Sequence, residues 1–183
     1  MNMSNSRRGQ VWVETVIYTL IGIALIGLVL AILTPKIKEF RDRSVIEQTI
    51  ESLNVFDSKV VEVLDAPANK RKVTLGLDRG IIFIDTLNDS ILYVLDESNV
   101  RYSEPVVSLD IGRLNVSTTA LTESYKITLS LHYPYNITFN GEDSIEPKQF
   151  TPVSVPYEFF IENRGLIGDV GNRVLWIDIT EGN

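Results

Sequence analysis

Thr15-Val16-Ile17-Tyr18-Thr19-Leu20-Ile21-Gly22-Ile23-Ala24-Leu25-Ile26-Gly27-Leu28-Val29-Leu30-Ala31-Ile32-Leu33 contains no charged residue, and nearly every position is apolar. The run reaches back to Val11 with one charged interruption, Glu14. At about 1.5 Å per residue, a helix over 11–33 covers about 34 Å, enough to cross a hydrocarbon core of about 30 Å. A secretory signal peptide competes with that interpretation, but its apolar region is shorter and ends in small residues at a cleavage site. Here the run ends Ala31-Ile32-Leu33-Thr34-Pro35-Lys36, and Leu33 is a poor match to a small residue. The segment therefore reads as a retained transmembrane helix. After Lys36, charges return at ordinary density. A chain divided in this way is built for two solvents.

Helical periodicity resumes directly after Pro35. Proline removes one helical hydrogen bond and bends a helix, so a kink is expected here rather than a stop. Ile37, Phe40, Ile46, Ile50, Leu53, Val60 and Leu64 recur at threes, fours and their multiples. Lys38, Arg41, Glu47, Glu51 and Lys59 occupy the opposite face, and Asp65-Ala66-Pro67 ends the pattern. The spacing predicts one helix of about 55 residues, roughly 80 Å long. Its amphipathic part, 36–66, is expected to lay its apolar stripe on the rest of the protein. A coiled-coil stalk is the alternative, with only about 28 residues available to it.

Beyond Pro67 the period changes to two. Segments 72–77 and 81–85 flank Asp78-Arg79-Gly80, which has the composition of a three-residue hairpin loop. Segment 90–95 follows a second turn rich in Asn and Asp, and further strands are expected at 105–111, 125–133, 157–162 and 173–179. Lys126-Ile127-Thr128-Leu129-Ser130-Leu131-His132 alternates cleanly, so one of its faces should be buried. About seven strands with regular turn signals predict an antiparallel, sandwich-like head over 70–183. The fold class is thus α+β, with a long N-terminal helix, transmembrane then amphipathic, followed by a β-rich head.

Glu14 is the unexpected residue. A carboxylate at the centre of a spanning helix costs about 2.5–3.5 kcal/mol on insertion scales, and less near an interface. A simple anchor has no use for it, although a side chain at this end could reach back to the headgroups. The residues before it complete a pattern: Arg8-Gly9-Gln10, then Glu14, then the long apolar run. This arrangement resembles the class III signal of archaeal type IV prepilins. The resemblance covers roughly the first 35 residues. It implies that 1–9 is a leader, cut after Gly9 on the cytoplasmic side by a membrane-embedded prepilin peptidase. Gln10 would then begin the mature chain, and Glu14 would take the fifth position, where type IV pilins carry a glutamate. Archaellins have a similar leader followed by a glycine-rich stretch without that glutamate, and bacterial prepilins usually place a hydrophobic residue after the cleaved glycine. Gln10 and Glu14 match neither as well.

By the same resemblance, helix 10–35 would leave the lipid and join the core of a surface filament. The partners would be other pilin subunits, the prepilin peptidase, an assembly ATPase and a membrane platform. Physics supports the role of the glutamate. Cleavage frees a cationic amine at Gln10, and pairing it with Glu14 of a neighbour would relieve two charges in an apolar setting. A wrong axial stagger would leave both unpaired. Gly27 and Ala31 lie four apart on one face, with Gly22 and Ala24 nearby, and such small residues let helices approach closely. They also belong to ordinary transmembrane composition. Orientation carries a tension. Arg7 and Arg8 favour a cytoplasmic N-terminus, but Lys36, Lys38, Arg41 and Arg43 follow the span. The prepilin resemblance implies that the C-terminal head lies outside the cell. A single-pass surface binding protein that never polymerises is the alternative function.

Other chemistry finds little support. The net charge is −7, and past Val73 acids outnumber bases roughly two to one, so the head has no footprint for nucleic acid. With no cysteine there is no disulfide framework, thiolate or Cys-based zinc site. His132 is the only histidine and sits among alternating strand residues. The glycines of 165–171 recur every third position, which is not a dinucleotide spacing and suits a turn. Asn140-Gly141-Glu142-Asp143-Ser144-Ile145-Glu146 is rich in oxygen ligands but lacks the EF-hand spacing, so it reads as an exposed acidic loop. No enzyme, cofactor or metal is expected. Asn88, Asn115 and Asn136 each head an Asn-x-Ser/Thr acceptor for N-glycosylation.

Overall fold

The computed structural model describes residues 6–105, 107–169 and 171–182, with side chains from residue 12 onward. Helix α1 (Ser6–Val63) passes through Pro35 without ending. Proline leaves the Ala31 carbonyl without its helical donor. One residue earlier, the Thr34 hydroxyl donates to the Leu30 carbonyl at 2.7 Å. The helix stops two residues before the expected Asp65, where the Leu64 N–H closes a tighter turn on the Val61 carbonyl at 3.1 Å.

The chain forms two compact units, Met1–Arg41 and Asp42–Asn183. The described residues of the first, 6–41, are the N-terminal part of α1. It is long and apolar enough to cross a membrane, and none of its most apolar stretch is buried.

Among its described residues, the second unit contains the remainder of α1 and ten strands in two sheets. Sheet A has the order β1 (Lys70–Leu75), β9 (Tyr157–Ile167), β10 (Val174–Glu181), β7 (Asn136–Phe139). Sheet B has the order β4 (Leu109–Ile111), β5 (Leu114–Ala120), β6 (Tyr125–His132), β3 (Ser90–Ser98), β2 (Ile81–Asp85), β8 (Lys148–Phe150). Every pairing is antiparallel except β10 with β7. The α+β class expected from the sequence is therefore observed. Alternation buries Ile127, Leu129 and Leu131 of β6, as their period of two requires.

Aromatic rings join the layers. Phe56 of α1 meets Phe159 of sheet A edge to face at 6.2 Å, and Phe159 meets Phe150 of sheet B at 5.0 Å. Ile46, Ile50, Leu53, Val60 and Val63 complete the buried face of the helix. Removing such side chains from water stabilises the fold by about 1.5–3 kcal/mol each.

Three expectations need correction. Ile37 and Phe40 do not join the buried stripe; both are exposed, and burial begins at Asp42 and Ile46. Segments 72–77 and 81–85 are not a hairpin, because β1 pairs with β9 and β2 pairs with β3 and β8. Residues 76–80 instead carry the chain from one sheet to the other. Gly80 has φ +79°, and a Cβ there would lie 2.5 Å from the Tyr93 ring, so the close approach demands glycine. Finally, β5, β7 and β8 were not expected, and among the described residues of segment 105–111, which leave out Val106, Leu109–Ile111 form the strand.

Candidate functional site

The sites named from the sequence lie on the N-terminal helix and on the head surface. Arg8, Gly9 and Gln10 lie in the opening turns of α1, with side chains outside the described residues. Glu14 is exposed. Gly22 and Gly27 have nothing within 4 Å of an added Cβ, and Ala31 is exposed, so these small residues meet no neighbour in the single chain. The hydroxyl of Thr19 is satisfied within the helix by the Thr15 carbonyl at 2.8 Å. The threonine hydroxyls at 19 and 34 thus close on the helix backbone, an option a carboxylate lacks because it can only accept.

Where the head begins, a polar cluster missed at the sequence level fixes the helix. Asp42 is almost fully buried and forms an ion pair with Arg79, in the segment that crosses between sheets. It also accepts hydrogen bonds from the Asn99 backbone N–H at 2.8 Å and the Asn99 Nδ2 at 2.7 Å. Burial pushes the Asp42 carboxyl upward, but the Asn99 and Arg79 donors outweigh it and hold it below the ordinary range. Next to it, the Tyr93 hydroxyl donates to the Arg79 carbonyl at 3.0 Å, and burial pushes its pKa up to about 12. The signal in the sequence was an Asp flanked by basic residues on a helix, which looks like any solvated pair.

A second buried carboxylate, Asp178, lies on β10 of sheet A. Asp178 accepts from the Thr138 hydroxyl at 2.8 Å, the Gly141 N–H at 2.7 Å and Arg164 at 3.0 Å. It holds the start of the loop 140–147 in place. That loop is exposed, with Glu142, Asp143, Ile145 and Glu146 all at the surface. Beside it opens a cavity of ≈ 540 Å³ whose lining includes Phe139, Glu142, Glu146 and Lys148. No group of three His, Asp or Glu able to hold a metal occurs among the described residues. His132 is exposed at the end of β6.

The three acceptor asparagines share one feature. Each donates its side-chain amide to an aspartate: Asn88 to Asp85 at 2.8 Å, Asn115 to Asp110 at 2.7 Å, Asn136 to Asp143 at 3.2 Å. Their hydroxyl partners differ. Ser90 and Thr138 are buried, while Ser117 is half-buried. An enzyme that reads the hydroxyl would meet those at Asn88 and Asn136 only before the head has folded.

No family of known proteins, no curated protein and no solved structure matches this chain.

Proposed function

We propose that this chain is a structural subunit, major or minor, of an archaeal type IV pilus-like surface filament. Its leader 1–9 is removed after Gly9, its helix enters the filament core, and its head faces the exterior for adhesion. The supporting observation is a helix exposed on every side, bearing one carboxylate five residues beyond Gly9 and leading into a cysteine-free acidic head. Such a helix needs either lipid or other helices around it. A charge at its entrance is stabilised by a partner that brings the opposite charge.

In this proposal the amine of Gln10 on one subunit neutralises Glu14 on another, which fixes the axial stagger. A prepilin peptidase, an assembly ATPase, a membrane platform and further pilins are the working partners. N-terminal sequencing of the mature protein should begin at Gln10. Glu14→Ala should insert into the membrane normally and give few filaments by electron microscopy. A chain that keeps residues 1–9 and stays monomeric in native membranes is instead the non-polymerising surface anchor.

A further inference from the structure

The exposed residues at the end of the first unit form a distinctive patch. Ile37 and Phe40 are 63% and 74% exposed, and they lie three apart on one helix face. Contrary to the opposite-face expectation, Arg41 lies one turn beyond Ile37 and Lys38 one turn before Arg41, so the two cations border the apolar pair along its Ile37 side. Lys36 is taken up by Glu39 at 2.8 Å and Arg43 by Glu47 at 3.0 Å. Lys38 and Arg41 make no ion pair or side-chain hydrogen bond among the described residues.

The head carries the complement. Ile145, at 86%, is the most exposed large apolar side chain among the described residues. Glu142 and Glu146 flank it in sequence, and neither carboxylate has an ion-pair partner among the described residues. Both line the ≈ 540 Å³ cavity, which also holds the Phe139 ring. Lys148, the cation in that lining, sits over Phe139 at 5.6 Å from the ring centre, and the lining stays net negative. The same asymmetry runs through the chain. Residues 1–41 hold five bases and two acids, whereas 42–183 hold twelve bases and twenty-two acids.

We infer that the Ile37–Phe40 face of one copy docks against the 142–146 loop of a second copy. Phe40 seats beside Ile145 at the mouth of the cavity, and Lys38 and Arg41 face Glu142 and Glu146. The occupant is chosen by charge complementarity, with two uncompensated cations around one apolar patch and two uncompensated anions around the other. The two patches differ, so the contact is heterologous, and such contacts repeat into open filaments unless the rotation closes a ring. The inference rests on the filament reading and deepens it. It also gives the basic residues after the span a use outside the membrane, where the charge rule for orientation would not place them. The patches are too small to hold two copies together unaided. Their role is to select which subunit docks, and in what register.

The test uses the full chain as the only copy in its native host. Its arms are Lys38→Glu with Arg41→Glu, Glu142→Lys with Glu146→Lys, and all four changes together. Filaments are quantified by sedimentation and electron microscopy, membrane retention by fractionation, and head folding by thermal unfolding. Each double reversal should lower the assembled fraction about tenfold, and the fourfold variant should recover to within about threefold of wild type. If a reversal impairs folding, the milder Gln replacements at the same positions are expected to assemble with a flatter dependence on salt. Double reversals that assemble like wild type, or a fourfold variant no better than the doubles, overturn the contact. So does a Lys38/Arg41 reversal that loses membrane retention, which would assign these cations to anionic headgroups. A wild-type chain that forms no filament overturns the filament reading and this contact together. Wild-type assembly with indifferent variants overturns the contact alone.

Discussion

Asp42 is where one side chain decides how helix and head are joined. It is buried, paired to Arg79 and bonded twice by Asn99. Asp42→Asn keeps the shape and removes the charge, leaving Arg79 unpaired. Arg79 is partly exposed, so the loss is expected at about 2 kcal/mol, below that for a fully buried pair. Urea unfolding at neutral pH checks this. The sign of the pH dependence follows from the lowered Asp42 pKa. A carboxyl held below its unfolded value contributes its full stability above that value, near 3.8, and loses it as the pH falls through the folded value. The gap between wild type and variant should therefore be flat above about pH 5 and shrink under acid. A gap that widens below pH 4 contradicts the assignment. None of this was legible beforehand, because partners 37 and 57 residues away leave no local trace in the sequence.

Among the elements, α1 was the most legible and also the most misleading. Its length and its two regimes follow from hydropathy and spacing alone. The burial boundary does not, because Ile37 and Phe40 fit the same periodicity as Ile46 and Leu53 and only packing separates them. Phe40→Ser should change head stability by less than about 0.5 kcal/mol, whereas Leu53→Ala should cost about 2–5 kcal/mol. Equal effects in chemical denaturation would restore Phe40 to the core. In the sheets, clean alternation revealed β6, and apolar segments next to turn residues revealed β2 and β3. β7 and β8 were missed because four and three residues are too short for a period to register. The supposed hairpin at 78–80 failed for another reason. Its turn residues are genuine, but a tight turn does not say whether the next strand stays in the same sheet. Of the site, the exposure of the acidic loop was legible from its composition, whereas the two buried aspartates, Asp42 on the helix and Asp178 behind the loop, were invisible.

At the scale of the whole molecule, an exposed apolar helix is joined to a head with its own core. The chain should remain in the membrane pellet after an alkaline carbonate wash and leave it only with detergent, because a span of this hydrophobicity is held far more strongly than any surface charge. Release by carbonate would remove the spanning assignment. The topology of sheet A then bears on how such a protein is made. Its outer strands, β1 and β7, pair only with β9 and β10, the last two strands of the chain. Sheet B draws all its pairings from residues before 151. During synthesis, therefore, the second layer can zip up while the first still waits for the final stretch to leave the ribosome, a delay of roughly 2–7 s at ordinary elongation rates. Until that C-terminal latch arrives, the apolar side of the helix stands open. For that interval the unpaired edges of β1 and β7 lie open to aggregation.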